Sequence, residues 1–261
     1  MVEFRDYQIQ IIEKAKGVLQ AHRFVYLSME VRTGKTLTAL GVAEKLGITN
    51  LLFVTKKKAI GSIEADYKKL MPGYQITVIN YESLHKVTGK FDLLVLDEAH
   101  TLGAYPKPSK RTKLVKEIIL RQNPFVILMS GTPTPESFSQ IYHQVYACPK
   151  NPFIEYKSFY KFAKEYVNVV QKIINSFHIN NYDDGKPAIL DRMKPYMISY
   201  TQKEAGFKSE IREHVLKVKM SELTYNFVKE MREYGIITGK KTKEVILGDT
   251  GVKKMSKIHQ L

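Results

Sequence analysis

Over its first 150 residues the chain alternates short apolar runs with longer segments whose apolar positions recur at helical spacing. The clearest runs are Phe24 to Met29, Leu51 to Thr55, Phe91 to Leu96 and Phe125 to Met129, with Ile76 to Asn80 a weaker addition. They are rich in β-branched or aromatic residues and apolar on both faces, the pattern of strands buried on both sides. Such runs alternating with helices predict an α/β fold: a parallel sheet with helices on both faces, and ligands at the carboxyl ends of the strands. After about residue 150 the pattern changes. Phe159 to Val170 and Leu223 to Tyr234 carry aromatic and basic residues at the spacing of amphipathic helices. The expected organisation is an α/β region over residues 1–150 and a mainly helical region over 151–261. Within the latter, Asn180 to Pro187, with Asp183, Asp184 and Gly185, reads as an exposed turn.

Composition narrows the class. With 261 residues, 44% hydrophobic and 26% charged, the chain can bury a sizeable core. Its apolar runs fall far short of the ~20 residues that a membrane-spanning helix needs. The opening MVEFRDYQ lacks the basic and apolar regions of a secretory leader, so no membrane and a cytoplasmic location are expected. The single cysteine, Cys148, excludes a disulfide within the chain and reads as a small core residue. Lys and Arg number 41 against 26 Asp and Glu, a formal charge of +15 that favours polyanionic partners. The charge is concentrated locally. Between Thr101 and Phe125 stand six basic residues, including Lys107, Lys110 and Arg111, against the one acid Glu117. That stretch is the candidate surface for a nucleic-acid backbone.

The first run leads into Glu30-Val31-Arg32-Thr33-Gly34-Lys35-Thr36, and helical spacing resumes at Leu37. A tight turn at the head of a helix aims backbone N–H groups and the positive helix end at phosphates. In this setting Arg32, Thr33, Gly34, Lys35 and Thr36 are candidate ATP-binding residues. Gly34 permits close approach, Lys35 reaches the β- and γ-phosphates, and Thr36 ligates Mg²⁺. A chance Gly-Lys-Thr at a helix start competes with this reading, and Met29 and Arg32 occupy places where the pattern often has glycine. A second motif decides between them. The run ending at Leu96 continues into Asp97-Glu98-Ala99-His100, two carboxylates at a strand exit. Asp97 is expected to hold Mg²⁺, Glu98 to orient and deprotonate the attacking water, and His100 to report nucleotide state. Lys35, Asp97 and Glu98 are thus the candidate catalytic residues. The run ending at Met129 continues into Ser130-Gly131-Thr132-Pro133, a turn whose Ser130 and Thr132 are candidates to couple to His100 or Asp97.

In this order the motifs resemble the first lobe of superfamily 2 helicases, and finer features resemble the Swi/Snf-like branch. The resemblance implies a RecA-like sheet, ATP and Mg²⁺ as cofactors, and movement on nucleic acid, with double-stranded DNA the expected form. Phe4-Arg5-Asp6-Tyr7-Gln8 resembles that branch's opening motif, which implies that Gln8 reads the adenine edge while Arg5 and Tyr7 shape the pocket. Phe53-Val54-Thr55-Lys56 and Asn80-Tyr81-Glu82 are similar to the motifs that contact the nucleic-acid backbone, although Lys56 stands where the family usually has proline. That assigns Thr55, Lys56, Asn80 and Tyr81 to the nucleic acid. Met193 to Ile198 and Ile211 to Met220 are similar to the stretch that closes the first lobe beside the DNA path, so residues 151–261 are expected to form a helical protrusion and return to the sheet. Tyr200-Thr201 departs from the paired arginines often found there. The tail Met255 to Leu261 resembles the run into a second RecA-like lobe, which would supply arginine fingers. The short spacings are similar to compact, phage-encoded members. The expected activity is an ATP hydrolase of the helicase or translocase class, poorly active until a second lobe completes it. The residues leave open a nucleotide-sensing, nucleic-acid-binding module without turnover.

Overall fold

The computed structural model describes residues 3–174, 177–207, 219–238 and 245–247. They fall into two compact units, Met1–Lys208 and Ser209–Leu261. The first opens with helix α1 (Asp6–His22) and continues β1 (Phe24–Met29), α2 (Lys35–Leu46), β2 (Asn50–Thr55), α3 (Ile60–Leu70), β3 (Gln75–Asn80), β4 (Leu93–Leu96), α4 (Lys110–Gln122), β5 (Phe125–Met129) and α5 (Ile141–Val145). After α6 (Phe159–Tyr166), β6 (Val170–Ile174), β7 (Phe177–Asn181) and α7 (Ala188–Met193), strand β8 (Met197–Tyr200) completes it.

One parallel sheet organises this unit, with strand order β3-β2-β4-β5-β1-β8. Its strands are apolar at nearly every position because successive side chains feed two different layers. Phe24, Tyr26, Leu52, Val54, Leu94, Leu96, Val126 and Leu128 pack with residues of α4, α5, α6 and α7. Val25, Leu27, Leu51, Phe53, Leu93, Val95 and Ile127 pack with α1, α2 and α3. The helices present matching stripes, such as Ile11, Ile12, Ala15 and Leu19 on α1. Cys148 is a buried free thiol in the α4–α7 layer, as its residue type suggested. All six strands run the same way, so every strand exit lies on one rim.

The expected strands are therefore present, with β4 two residues shorter than the run that marked it. The α/β sheet with helices on both faces is as the pattern implied. Beyond residue 150 the chain is less uniformly helical than its spacing suggested. Helix α6 ends at Tyr166 because Val167 is already extended, at φ −132° and ψ 134°, and β-branched Val169 and Val170 carry the chain on as a strand. Strands β6 and β7 pair antiparallel, with Val170 opposite Asn181, so the start of the segment read as an exposed turn is a strand end. Strand β8 pairs with β1, Met29 opposite Tyr200, and returns the chain to the sheet edge.

In the second unit, helix α8 (Glu222–Tyr234) is capped by Ser221, whose hydroxyl accepts from the Thr224 N–H, and ends at left-handed Gly235. Strands β9 (Ile236–Thr238) and β10 (Val245–Leu247) pair antiparallel. The Ile211–Met220 stretch, apart from its last two residues, and the tail Met255–Leu261 lie outside the described residues. Among the described residues no helix is long and apolar enough to cross a membrane.

Candidate active site

Between β1 and α2 the chain makes a tight turn with two residues in the left-handed region, Arg32 at φ 64° and Gly34 at φ 76°. Glycine suits the second place, because φ 76° strains any residue with a Cβ and a Cβ there would stand 2.6 Å from Gln8 Nε2, which would have to shift. The Thr33 hydroxyl donates to the Glu30 carbonyl (2.7 Å) and closes the turn from within. Helix α1 braces it from behind: Tyr7 Oη donates to the Thr33 carbonyl (3.1 Å) and Gln8 Nε2 to the Gly34 carbonyl (3.3 Å). The N-terminus of α2 has no side-chain cap, so its first N–H groups are left to an incoming acceptor. Met29, where the pattern often has glycine, is fully buried among the α1–α3 residues. Its side chain serves the core while its carbonyl accepts from Lys35 Nζ (2.8 Å).

Lys35 forms no ion pair among the described residues. Partial burial lowers its pKa, and Asp97, Glu98 and Glu30 pull the other way. Asp97 follows β4 directly. Burial raises its pKa, while the buried Thr55 hydroxyl, donating to Oδ2 at 2.8 Å, opposes the shift. Among the described residues no cluster of three or more His, Cys, Asp or Glu side chains could hold a metal. Mg²⁺ keeps waters and uses one or two protein oxygens beside substrate phosphates. The candidates to hold it are the carboxylate of Asp97, after β4, and the hydroxyl of Thr36, on the first turn of α2.

Glu98 is held left-handed at φ 51°, a conformation that costs a residue with a Cβ roughly 1–2 kcal/mol. Its carboxylate lies 3.3 Å from Lys56 Nζ and 3.4 Å from His100 Nδ1. His100 Nδ1 is also 2.9 Å from Ser130 Oγ, which accepts from the Thr132 N–H at 3.1 Å. The ends of β4 and β5 are thus joined through the side chains expected to couple them, with Thr132 contributing its backbone.

The residues assigned to nucleic acid stand in different settings. Thr55 is fully buried on Asp97, and Tyr81 is buried with its hydroxyl donating to the Asp97 carbonyl (2.6 Å). Both residues brace the acidic turn, Thr55 from the end of β2, which pairs with β4, and Tyr81 from just beyond the edge strand β3. Arg111 lies over the Tyr81 ring, 4.8 Å from its centroid, and pairs with Glu82 at 2.5 Å. Asn80 Nδ2 donates to the same Glu82 carboxylate (2.9 Å). Lys56, Lys107 and Lys110 are exposed. Gln8, expected at the adenine, is buried and uses its amide on Arg5 N, Gly34 O and Thr38 Oγ1. Arg5 donates to Tyr7 Oη at 3.4 Å, and exposed Arg32 lies at the turn's outer side.

The structure also brings in residues that motif reading passes over. Tyr200 stacks on Tyr7 with ring centroids 4.5 Å apart. The Gln202 N–H donates to the Glu30 carboxylate (2.7 Å) and its side chain to the Val31 carbonyl (2.9 Å). The stretch after β8 is thus fastened to the turn, where the expected arginines are replaced by Tyr200 and Thr201. Gln144 accepts from Tyr26 Oη (2.7 Å) and donates to the Pro133 carbonyl (2.8 Å), setting the turn after β5. A glutamine on a short helix carries no motif that would mark it.

Residues 23–260 match the SNF2-related domain. The chain belongs to the SNF2-related domain family. Its sheet is the RecA-like first lobe of a superfamily 2, Swi/Snf-like ATPase core. Among curated relatives of this SNF2-related domain, it is 30% identical over 88 residues to the RNA polymerase-associated protein RapA of two strains of Vibrio cholerae serotype O1. That match takes in 34% of this chain and 9% of RapA. The Sulfolobus solfataricus SWI2/SNF2 ATPase core in complex with dsDNA is similar over 99% of this chain and 58% of that one, with a TM-score of 0.61 and 16% identity. The Sulfolobus solfataricus SWI2/SNF2 ATPase core domain matches 100% of this chain and 57% of that one, with a TM-score of 0.58 and 15% identity. At such identities the likeness concerns the fold. The SNF2-related domain here spans under three-fifths of those cores and a small part of RapA.

Proposed function

We propose that this chain is the ATP-binding lobe of a DNA-dependent ATPase that moves on double-stranded DNA when a second RecA-like lobe faces it. The observation that carries the reading is the convergence, on one rim, of a glycine-containing turn at an uncapped helix start, a lysine held by a backbone carbonyl, and a buried carboxylate. Terminal phosphates of ATP meet Lys35 and the N–H groups of α2, with the Gly34 turn as the phosphate-binding loop. Mg²⁺, held by Thr36 and Asp97, would neutralise developing charge on those phosphates. Glu98 takes the proton of the attacking water, and His100 with Ser130 passes the state of the site to β5. Lys107, Lys110 and Lys56 supply sequence-independent contacts to DNA phosphates. DNA as partner is supported by the +15 charge and by the DNA-bound state of a similar solved core.

The test is steady-state phosphate release with and without duplex DNA, with Lys35→Ala controlling for contaminating ATPases. The lobe alone should turn over barely above background, because an arginine finger is worth ~10³ to 10⁵ in rate. Adding a second lobe should restore DNA-stimulated turnover. A complete two-lobed protein with no Lys35-dependent phosphate release would overturn the proposal.

A further inference from the structure

The rim carries one contact that joins its two proposed halves directly. Lys56 leaves the end of β2, beside the candidate DNA surface, and its Nζ stands 3.3 Å from Oε1 of Glu98, the proposed general base. The neighbouring residues repeat the link, since Thr55 donates to Asp97. The Lys56 side chain is 59% exposed and that of Glu98 35%, so the pair is open to competition from solvent ions and phosphates. The backbone of Glu98 is held left-handed at φ 51°. His100 Nδ1 also lies near that carboxylate, at 3.4 Å, and contacts Ser130, while Lys35 interacts with it at longer range.

We infer that Lys56 is a latch on Glu98, a positioning residue that holds the general base in the DNA-free lobe and releases it when a DNA phosphate takes the lysine. The inference rests on the proposed reading of the rim as an ATP and DNA site. An ammonium beside the carboxylate fixes where the Glu98 oxygen stands and occupies one of its lone pairs, so the paired oxygen is not free to orient a water. A backbone phosphate offers Lys56 an alternative anion, and the two partners compete for one cation. Binding of DNA then frees the Glu98 oxygen to orient the attacking water without any movement of the sheet. Because the coupling is reciprocal, loss of the Glu98 charge must strengthen the hold of Lys56 on DNA. Proline at this place would have no charge with which to form the latch.

The reciprocal effect is measurable without turnover. Fluorescence anisotropy with labelled duplex DNA at low salt is to be run on the chain as it stands and on Glu98→Gln, Lys56→Ala and the double variant. Glu98→Gln should tighten binding about two- to fivefold more in the parent than in the Lys56→Ala background, the span expected for a half-exposed ion pair. The Lys56→Ala background reads out the general effect of removing a negative charge, and Lys56→Arg should restore the difference. Equal effects of Glu98→Gln in both backgrounds, with DNA binding intact, overturn the latch and leave the DNA reading standing. No DNA binding by the parent chain overturns the DNA reading, and the latch with it.

Discussion

The two halves of the rim are finished in opposite ways. At the turn between β1 and α2, polar groups are held apart from charged partners: Lys35 meets a backbone carbonyl, and the start of α2 has no side-chain cap. At the ends of β2 and β3, charges are satisfied within the chain, Lys56 by Glu98 and Arg111 by Glu82, which also accepts from the Asn80 amide. A phosphate arriving at the first half displaces little and finds donors already placed. One arriving at the second half must compete with carboxylates, so binding there is weaker, more salt-sensitive and able to report on what it displaces. Asp97 and Glu98 lie where the halves meet, with Thr55 and Tyr81 beneath them.

The contrast can be broken most severely at Glu98. In a two-lobed form, Glu98→Gln should leave MgATP binding in place and slow hydrolysis by roughly two to four decades, the usual worth of a positioned general base. Near-normal single-turnover rates would remove Glu98 from that role. Next in size is the turn itself. Gly34→Ala forces a Cβ to within 2.6 Å of Gln8 Nε2 in a left-handed residue. Such strain costs roughly 1–2 kcal/mol and should weaken MgATP about tenfold, leaving the DNA affinity of the chain nearly unchanged. An equal loss of both affinities in the calorimeter would mean that the two halves are not separately built.

A smaller effect separates free from paired cations on the DNA side. Neutralising Lys107 and Lys110, both exposed, should lower the slope of log affinity against log salt by about 0.9 for each DNA phosphate that the variant no longer neutralises. Arg111→Gln should change that slope less, because Arg111 is already committed to Glu82 and Tyr81, and should cost stability instead. Identical slopes in all variants would make the basic stretch a solvated surface. The smallest expected change lies away from the rim, at buried His143. Its Nε2 donates to the Pro106 carbonyl (3.0 Å), and burial lowers its pKa from the ordinary 6.5. The unfolded chain therefore binds its proton first, so stability falls as pH drops below about 6.5. His143→Gln keeps a donor without a titrating ring and should flatten that part of the profile in urea denaturation.

What was legible in the chain follows the same division. The strands, the turn at Gly34 and the acidic exit at Asp97 could be placed because their chemistry is carried by local order along a few residues, at strand ends that share one direction. The contacts of Thr55 and Tyr81 with Asp97 could not be read because burial is set by neighbouring strands: their own segments look the same whether the side chain meets Asp97 or solvent. Arg111 could be counted as a charge from composition, but its partner Glu82 is 29 residues away. The β6–β7 hairpin was hidden because aromatic and basic residues before it continued a helical spacing past Tyr166. Gln202, Gln144 and Tyr200 act through a few contacts with residues distant in the chain, which leave no pattern in sequence.

The central claim is that the β1–α2 turn is a ready phosphate site, and calorimetric titration of MgATP into the chain tests it most directly. The account predicts one site whose affinity falls by most of its value in Lys35→Ala, while the far-ultraviolet circular dichroism of the variant matches the parent. A folded Lys35→Ala chain that binds MgATP as tightly as the parent would contradict it.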